Sequence, residues 1–295
     1  MKTYLKIFGL FYLTLLKIND DASMRENIIK FDWEFEPFDL ENKSIYMSVK
    51  YMDQSDYFTI MATKAAFQYK DFKLHRFSDD ECYVTIAKFY KKYLPTFVNL
   101  PFGVMKSDFC RYLMIYHNGG IYIDSDVVIK KNPAYWIPST IKTKIREEKI
   151  NVFIGVEAYL PNDYTKYKFY HPYQISQWTF AANKNHKIFL DCLDDIHNAF
   201  EGNKTKFEDI HNIIELTGPG AFTRSVHQFI APFVKDSSEL ANAPMIVKDV
   251  YIGPPNTLNC GIEQKYEGKL YYCNKYSVSE HLYSGSWKGK TRNLE

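Results

Sequence analysis

Residues 107–126 read SDFCRYLMIYHNGGIYIDSD, and the fold turns on where this stretch changes its hydrophobic period. Up to residue 118 the apolar Phe109, Leu113 and Tyr116 recur at helical spacing, which predicts a helix. Ser107 stands as its N-cap, Asp108 favours its positive end, and Asn118-Gly119 supplies the stop. From Ile121 the period becomes two. Ile121, Ile123, Ser125 and Val127 then share one face and Tyr122, Asp124, Asp126 and Val128 the other, so an extended strand aims both carboxylates the same way. Two carboxylates about 6 to 7 Å apart repel by roughly 2 to 3 kcal/mol at an effective dielectric constant of about 20. A divalent cation offsets that repulsion. All-oxygen ligands suit Mn²⁺ or Mg²⁺, which keep positions open for water and substrate phosphates.

The 295 residues are 46% hydrophobic, enough to build one large α/β domain or two small ones. Acids and bases nearly balance at a net charge of +2, so there is no general basic field to hold nucleic acid, and any polyanion must bind at a local site. The cysteines show no CxxC pair and no zinc-ligand spacing. Cys260 and Cys273 flank a Gly- and Lys-containing turn and suit a lumenal disulfide, whereas Cys110 and Cys192 lie in helix-like segments and read as buried free thiols.

The chain starts MKTYLKIFGLFYLTLLK, a basic start, an uncharged run from Ile7 to Leu16, and then Lys17. Residues 1–17 therefore read as a signal peptide or a short signal-anchor, which places the remainder in the secretory pathway, in the Golgi or ER lumen, with type II topology if the anchor is kept. Residues 18–40 are acidic and weakly patterned, a short stem, and 41–295 form the folded domain. Two N-x-S/T sequons, at Asn42 and Asn203, agree with that compartment. Within the domain, IYMSVKY (45–51) and YFTIMA (57–62) are ambiguous between strand and helix. DDECYVTIAKFYKKYL (79–94) reads as an amphipathic helix with Val84, Ile86, Phe89, Tyr90 and Tyr93 on its apolar face, closed by Pro95.

The ordered blocks SDFCRYLMIYHNGGIYIDSD, QISQWTFAANKNH (174–186), LTGPGAFT (216–223) and HLYSGSWKG (281–289) resemble glycosyltransferase family 32, whose donor site carries an SDxxRY helix, a GGxYxDxD strand and a C-terminal GSW segment. The likeness covers about residues 65–290 and is to the fungal α-1,6-mannosyltransferases that initiate outer-chain N-glycan synthesis. It implies a GT-A nucleotide-sugar-binding fold with a mixed central sheet flanked by helices, Mn²⁺, and retention of anomeric configuration. The implied partners are GDP-mannose as the favoured donor and a glycan acceptor. On the matching positions, Asp124 and Asp126 resemble the DxD pair that meets metal, diphosphate and ribose, and Asp108 and Arg111 the helix pair that meets the donor sugar. His281, Ser286 and Trp287 resemble a segment that closes on the donor, with His281 or Ser286 completing the metal–diphosphate site. The family's opening HQxW is missing from NKSIYMSVKYMD (42–53), which leaves the base open between guanine and uracil.

Other readings of the same residues are a family member using a UDP-sugar or a glycolipid acceptor, and an inactive glycan-binding relative. A third is a haloacid-dehalogenase-type phosphatase, since IYIDSDVV also fits a strand ending in DxDxV; its acidic pair would be Asp194 and Asp195 of CLDDI, on an apparent helix.

Overall fold

The computed structural model describes residues 35–36, 40–50, 56–138, 141, 149–162, 164–165, 169–259, 264–266, 269–271 and 277–284. The expected signal or anchor segment at 1–17, most of the expected stem, and Cys260, Cys273, Ser286 and Trp287 lie outside the described residues. Among the described residues no helix is long and apolar enough to cross a membrane.

The strands are β1 (Phe35–Glu36), β2 (Ser44–Ser48), β3 (Lys73–Phe77), β4 (Gly120–Ile123), β5 (Val127–Ile129), β6 (Ile137–Pro138), β7 (Val152–Tyr159), β8 (Tyr173–Ile175), β9 (Thr179–Ala182), β10 (Met245–Val247), β11 (Val250–Gly253), β12 (Gln264–Tyr266), β13 (Lys269–Tyr271) and β14 (Ser279–His281). An eight-stranded sheet runs β10-β11-β7-β9-β4-β2-β3, with β8 added on β7. It is mixed: β4 pairs parallel with β2 and antiparallel with β9, while β7 pairs antiparallel with β9 and parallel with β11. The fold class expected from the sequence, an α/β sheet flanked by helices, is the one observed.

The helices that matter are α1 (Tyr57–Phe67), α2 (Asp79–Phe89), α3 (Leu94–Asn99), α4 (Gly103–Asn118), α5 (Lys187–Gly202) and α6 (Pro219–Ile230). Strand alternation sends Tyr122, Ile154 and Phe180 into one core with residues of α2, α4, α5 and α6, and Ile121, Ile123 and Phe153 into a second core with Ala62 and Ala66 of α1. The two ambiguous stretches separate accordingly. IYMSVKY supplies most of β2, which lies between β4 and β3, and YFTIMA becomes helix because the Asp56 carboxylate caps it, accepting from the N–H groups of Phe58 and Thr59 at 3.1 Å.

Three expectations are corrected. The helix α4 starts at Gly103, so Ser107 is not its N-cap; its Oγ lies 3.0 Å from Ser48 Oγ, and Asp108 sits a turn inside the helix rather than at its positive end. On α2 the buried residues are Cys82 and Ile86, while Val84 and Phe89 are exposed, and Pro95 opens α3 instead of closing α2. Cys110 is not a free thiol, because it is disulfide-bonded to Cys82 and joins α4 to α2; Cys192 is free and buried, as expected.

The helix-to-strand passage depends on glycine. Gly119 (φ +69°) and Gly120 (φ +105°) take backbone conformations that L side chains rarely adopt, and a Cβ on Gly120 would lie 2.6 Å from the Ser44 carbonyl oxygen of the neighbouring strand. Of the two sequons, Asn42 has its amide engaged with Tyr46 and the Asn118 carbonyl, whereas Asn203 is exposed after α5.

The disulfide spans a sequence separation of 28. Chain-entropy reasoning gives such a closure about 3 to 4 kcal/mol of stabilisation. The double variant Cys82→Ala, Cys110→Ala is expected to melt lower than the wild type by a corresponding amount. Dithiothreitol should lower the wild-type melting temperature and leave that of the double variant where it is.

Candidate active site

The strand β4 ends at Ile123, and a turn follows. Asp124 N–H donates to the Trp178 carbonyl at 2.8 Å, and Val127 N–H donates to the Asp124 carbonyl at 3.0 Å, closing the turn over Ser125 and Asp126 before the chain re-enters as β5. The two carboxylates therefore converge through a turn, not through an unbroken extended strand, which corrects the sequence expectation. The third member arrives from the far end of the chain: β14 pairs antiparallel with β5, setting His281 opposite Val127. His281 Nε2 lies 3.2 Å from Asp126 Oδ1, and one ligand atom from each of Asp124, Asp126 and His281 falls within 4.8 Å of the others.

The imidazole is held by stacking. Its ring centre lies 4.7 Å from that of Trp178 with the planes at 4°, while the indole N–H donates to the Leu258 carbonyl at 3.1 Å. Asp126 Oδ2 accepts from Ser284 N–H at 2.9 Å and from Ser284 Oγ at 2.7 Å. Burial raises the Asp126 pKa, but the His281 and Ser284 interactions outweigh it and bring the carboxyl down to about 2.

One helical turn apart on α4, Asp108 and Arg111 form a second, deeper group. Arg111 Nη2 lies 3.1 Å from Asp108 Oδ1 and Nη1 lies 3.3 Å from Asp124 Oδ1, with the guanidinium 5.0 Å above the centre of the Tyr122 ring. Asp108 also accepts from Gln177 Nε2 at 3.0 Å and from Thr217 Oγ1 at 2.8 Å. Burial pushes the Asp108 carboxyl up to about 6 against the pull of Arg111 and Thr217. Asp124 is likewise raised by burial although Arg111 pulls it down, and Asp124 in turn helps to hold Arg111 protonated against the cost of burial.

Of the residues expected at the site, Asp108, Arg111, Asp124, Asp126 and His281 are thus brought together. The serine found on Asp126 is Ser284. The acidic pair of the phosphatase reading is engaged elsewhere, Asp194 with Lys92 and Tyr93 and Asp195 with Arg224. Sequence reading assigned no role to Gln177, Trp178 or Thr217, although the blocks QISQWT and LTGPG contain them. It also missed Glu157 on β7, whose carboxyl is pushed up to about 7 by burial while accepting from Gln174 Nε2 at 2.7 Å.

Two carboxylates and one imidazole are a donor set for a divalent ion. Tyr122 OH and Arg111 both contact Asp124 Oδ1, and among the described residues no hydrogen bond reaches its Oδ2, so that oxygen is available as a ligand atom. The geometry fits a metal.

Residues 36–143, which contain both aspartates, match the family described as "Glycosyltransferase sugar-binding region containing DXD motif". Over that span the chain is similar to the sugar-binding region of DXD glycosyltransferases. It is 28% identical over 200 residues to an initiation-specific alpha-1,6-mannosyltransferase of Schizosaccharomyces pombe, covering 64% of this chain and 48% of that protein. It is 22% identical over 247 residues to the protein of the same name from Candida albicans, covering 74% of this chain and 63% of that one. This chain therefore spans about half to under two thirds of these relatives' length. Among solved structures, the PaToxG glycosyltransferase aligns at a TM-score of 0.42 and 18% identity, over 78% of this chain and 80% of that one.

The DXD turn has a pH signature. Because the folded-state pKa of Asp126 lies below the ordinary aspartate value, its stabilisation is fully present above about pH 4 and is lost as pH falls through about 2. In metal-free buffer the wild type should exceed Asp126→Asn in stability by about 2 kcal/mol near pH 5. Urea unfolding of both proteins between pH 5 and pH 2 should show that gap closing.

Proposed function

We propose that this chain is a metal-dependent, retaining glycosyltransferase that moves mannose from GDP-mannose to a glycan acceptor in the secretory pathway. The observation that supports it most is the convergence of Asp124, Asp126 and His281 beside the buried Asp108–Arg111 pair, within a matched DXD sugar-binding region. Asp124, Asp126 and His281 would hold Mn²⁺, or Mg²⁺, and the ion when bound offsets the charge that develops on the departing diphosphate. Arg111 fixes the rotamer of Asp124 from one side while the backbone of Trp178 fixes its main chain from the other, so the ligand is oriented before any substrate arrives. Asp108, locked by Gln177 and Thr217, forms with Arg111 the wall against which the donor sugar rests. Mannose as the transferred sugar rests on the names of the relatives, and the oxidising compartment on the Cys82–Cys110 disulfide.

The test is release of GDP from GDP-mannose, run beside UDP-sugars, with Mn²⁺ and after EDTA treatment. Turnover is expected with Mn²⁺ and GDP-mannose and not after EDTA, and Asp124→Asn should lower it by about 100-fold or more while leaving the protein folded. Undiminished turnover in EDTA would remove the metal from the reading. Hydrolysis of a simple aryl phosphate, with sugar nucleotides untouched, would replace the transferase by a phosphatase.

A further inference from the structure

Tyr283 follows His281 by two residues, and its backbone is unusual for a bulky side chain, with φ at +48°. Hydrogen bonds on both sides impose that conformation: Leu282 N–H donates to the Asp126 carbonyl at 2.9 Å, and Ser284 N–H donates to Asp126 Oδ2 at 2.9 Å. The N–H groups of the residues on either side of Tyr283 are thus both tied to one aspartate of the DXD motif, and the residue between them is turned outward. Tyr283 is 41% exposed, although the residues around it, Trp178, Asn259 and Asp126, are buried. The ring centre lies 4.1 Å from that of His281 at 63° and 6.1 Å from that of Trp178 at 63°, and Asn259 Nδ2 donates to its hydroxyl at 2.7 Å. Strained backbone that is held in place by its surroundings collects where a side chain must be presented to something.

We infer that Tyr283 is the platform on which the acceptor's terminal pyranose ring stacks. The inference rests on the transferase reading of the same site. If the diphosphate lies at Asp124, Asp126 and His281, the anomeric carbon is one phosphoester bond away, and the acceptor hydroxyl must approach within bonding distance of it. The acceptor ring therefore lies about one sugar from the metal ligands, the position that a ring in contact with His281 borders. The nucleobase, by contrast, is separated from the metal-bound phosphates by the ribose. An aromatic face carries negative charge density and suits the C–H face of a pyranose, and a half-exposed ring suits a ligand that arrives from solvent and leaves again. The buried Asp108 and Arg111 serve the donor side, so the acceptor is met by a different kind of surface. Because Asp126 ties down the backbone on both sides of Tyr283, the platform is hydrogen-bonded to the residue that supplies a metal ligand, which keeps the acceptor hydroxyl in register with the leaving diphosphate.

The experiment compares Tyr283→Ala, which removes the ring, with Tyr283→Phe, which keeps the ring and loses the hydroxyl. The acceptor probe is methyl α-1,6-mannobioside, with GDP-mannose as donor. Tyr283→Ala should raise the acceptor KM about tenfold while the Kd for GDP with Mn²⁺, read by calorimetry, changes less than twofold; Tyr283→Phe should stay within about threefold of the wild type on both. Saturation-transfer NMR of the mannobioside in the presence of GDP and Mn²⁺ reads the same contact without catalysis, and its signal should survive in Tyr283→Phe and vanish in Tyr283→Ala. An unchanged acceptor KM and NMR signal in Tyr283→Ala overturns the inference. So does a loss of GDP affinity in step with acceptor KM, which would mean that the ring serves the nucleotide or the metal ligands, and so does the absence of any mannobioside signal in the wild type. Failure of the wild type to release GDP from any sugar nucleotide would instead remove the transferase reading, and the NMR comparison would still decide whether Tyr283 meets a sugar.

Discussion

The site depends on one buried cation shared by two carboxylates. Arg111 touches Asp108 one helical turn before it and Asp124 just past the end of β4, and both Asp108 and Arg111 are more than nine-tenths buried. Removing charges from water costs several kcal/mol per ion, and only good geometry and further hydrogen bonds recover it. The surroundings meet that demand. Gln177 before β9, Thr217 before α6 and the Tyr122 hydroxyl each donate to one of the two carboxylates, and the Gln177 carbonyl accepts from Arg111 at 3.4 Å. Segments far apart in sequence are thereby fixed relative to the DXD turn through one guanidinium, so the geometry of the candidate site and the buried electrostatics are the same structure.

Below that guanidinium lies an aromatic floor. The Tyr122 ring stacks on Phe180 at 5.2 Å, Phe180 meets Phe189 and Phe222 at 5.2 Å each, and Tyr112 stacks on Phe222 at 5.4 Å. These rings come from β4, β9, α4, α5 and α6, so they knit the sheet to the helix layer beneath the charged group. Rings packed this way exclude water from below, which lowers the local dielectric and strengthens the pairing above them.

The change of hydrophobic period at Gly119-Gly120 was readable in the sequence because it is local: a helix stop, two glycines and a strand need no distant partner to be recognised. Asp124, Asp126, Asp108 and Arg111 were legible for the same reason, their spacing being short, and His281 only through its motif. What escaped was decided across the fold. The cap signal at Ser107-Asp108 yielded to packing, because α4 extends back to Gly103 with no side chain capping it and Ser107 is used against β2. The buried face of α2 follows from where α4 lies, which turns Cys82 inward to Cys110 and leaves Val84 and Phe89 outside. Gln177 and Thr217 are ordinary polar residues until Asp108 is buried beside them, so no local pattern marks them. The turn at Ser125–Asp126 likewise reflects the return of β14, a strand whose pairing with β5 no period of two announces.

That late return has a consequence for how the protein comes into being. Ser284 reaches Asp126 across 158 residues of sequence. At about 5 to 20 residues per second, synthesis separates the two by roughly 8 to 30 seconds. For that interval the nascent chain holds an aspartate pair, already flanked by Arg111, whose imidazole and serine partners do not yet exist. Contacts among earlier segments are available throughout that interval, whereas the cluster of Asp124, Asp126 and His281, with Ser284 beside it, can close only once residue 284 has been synthesised.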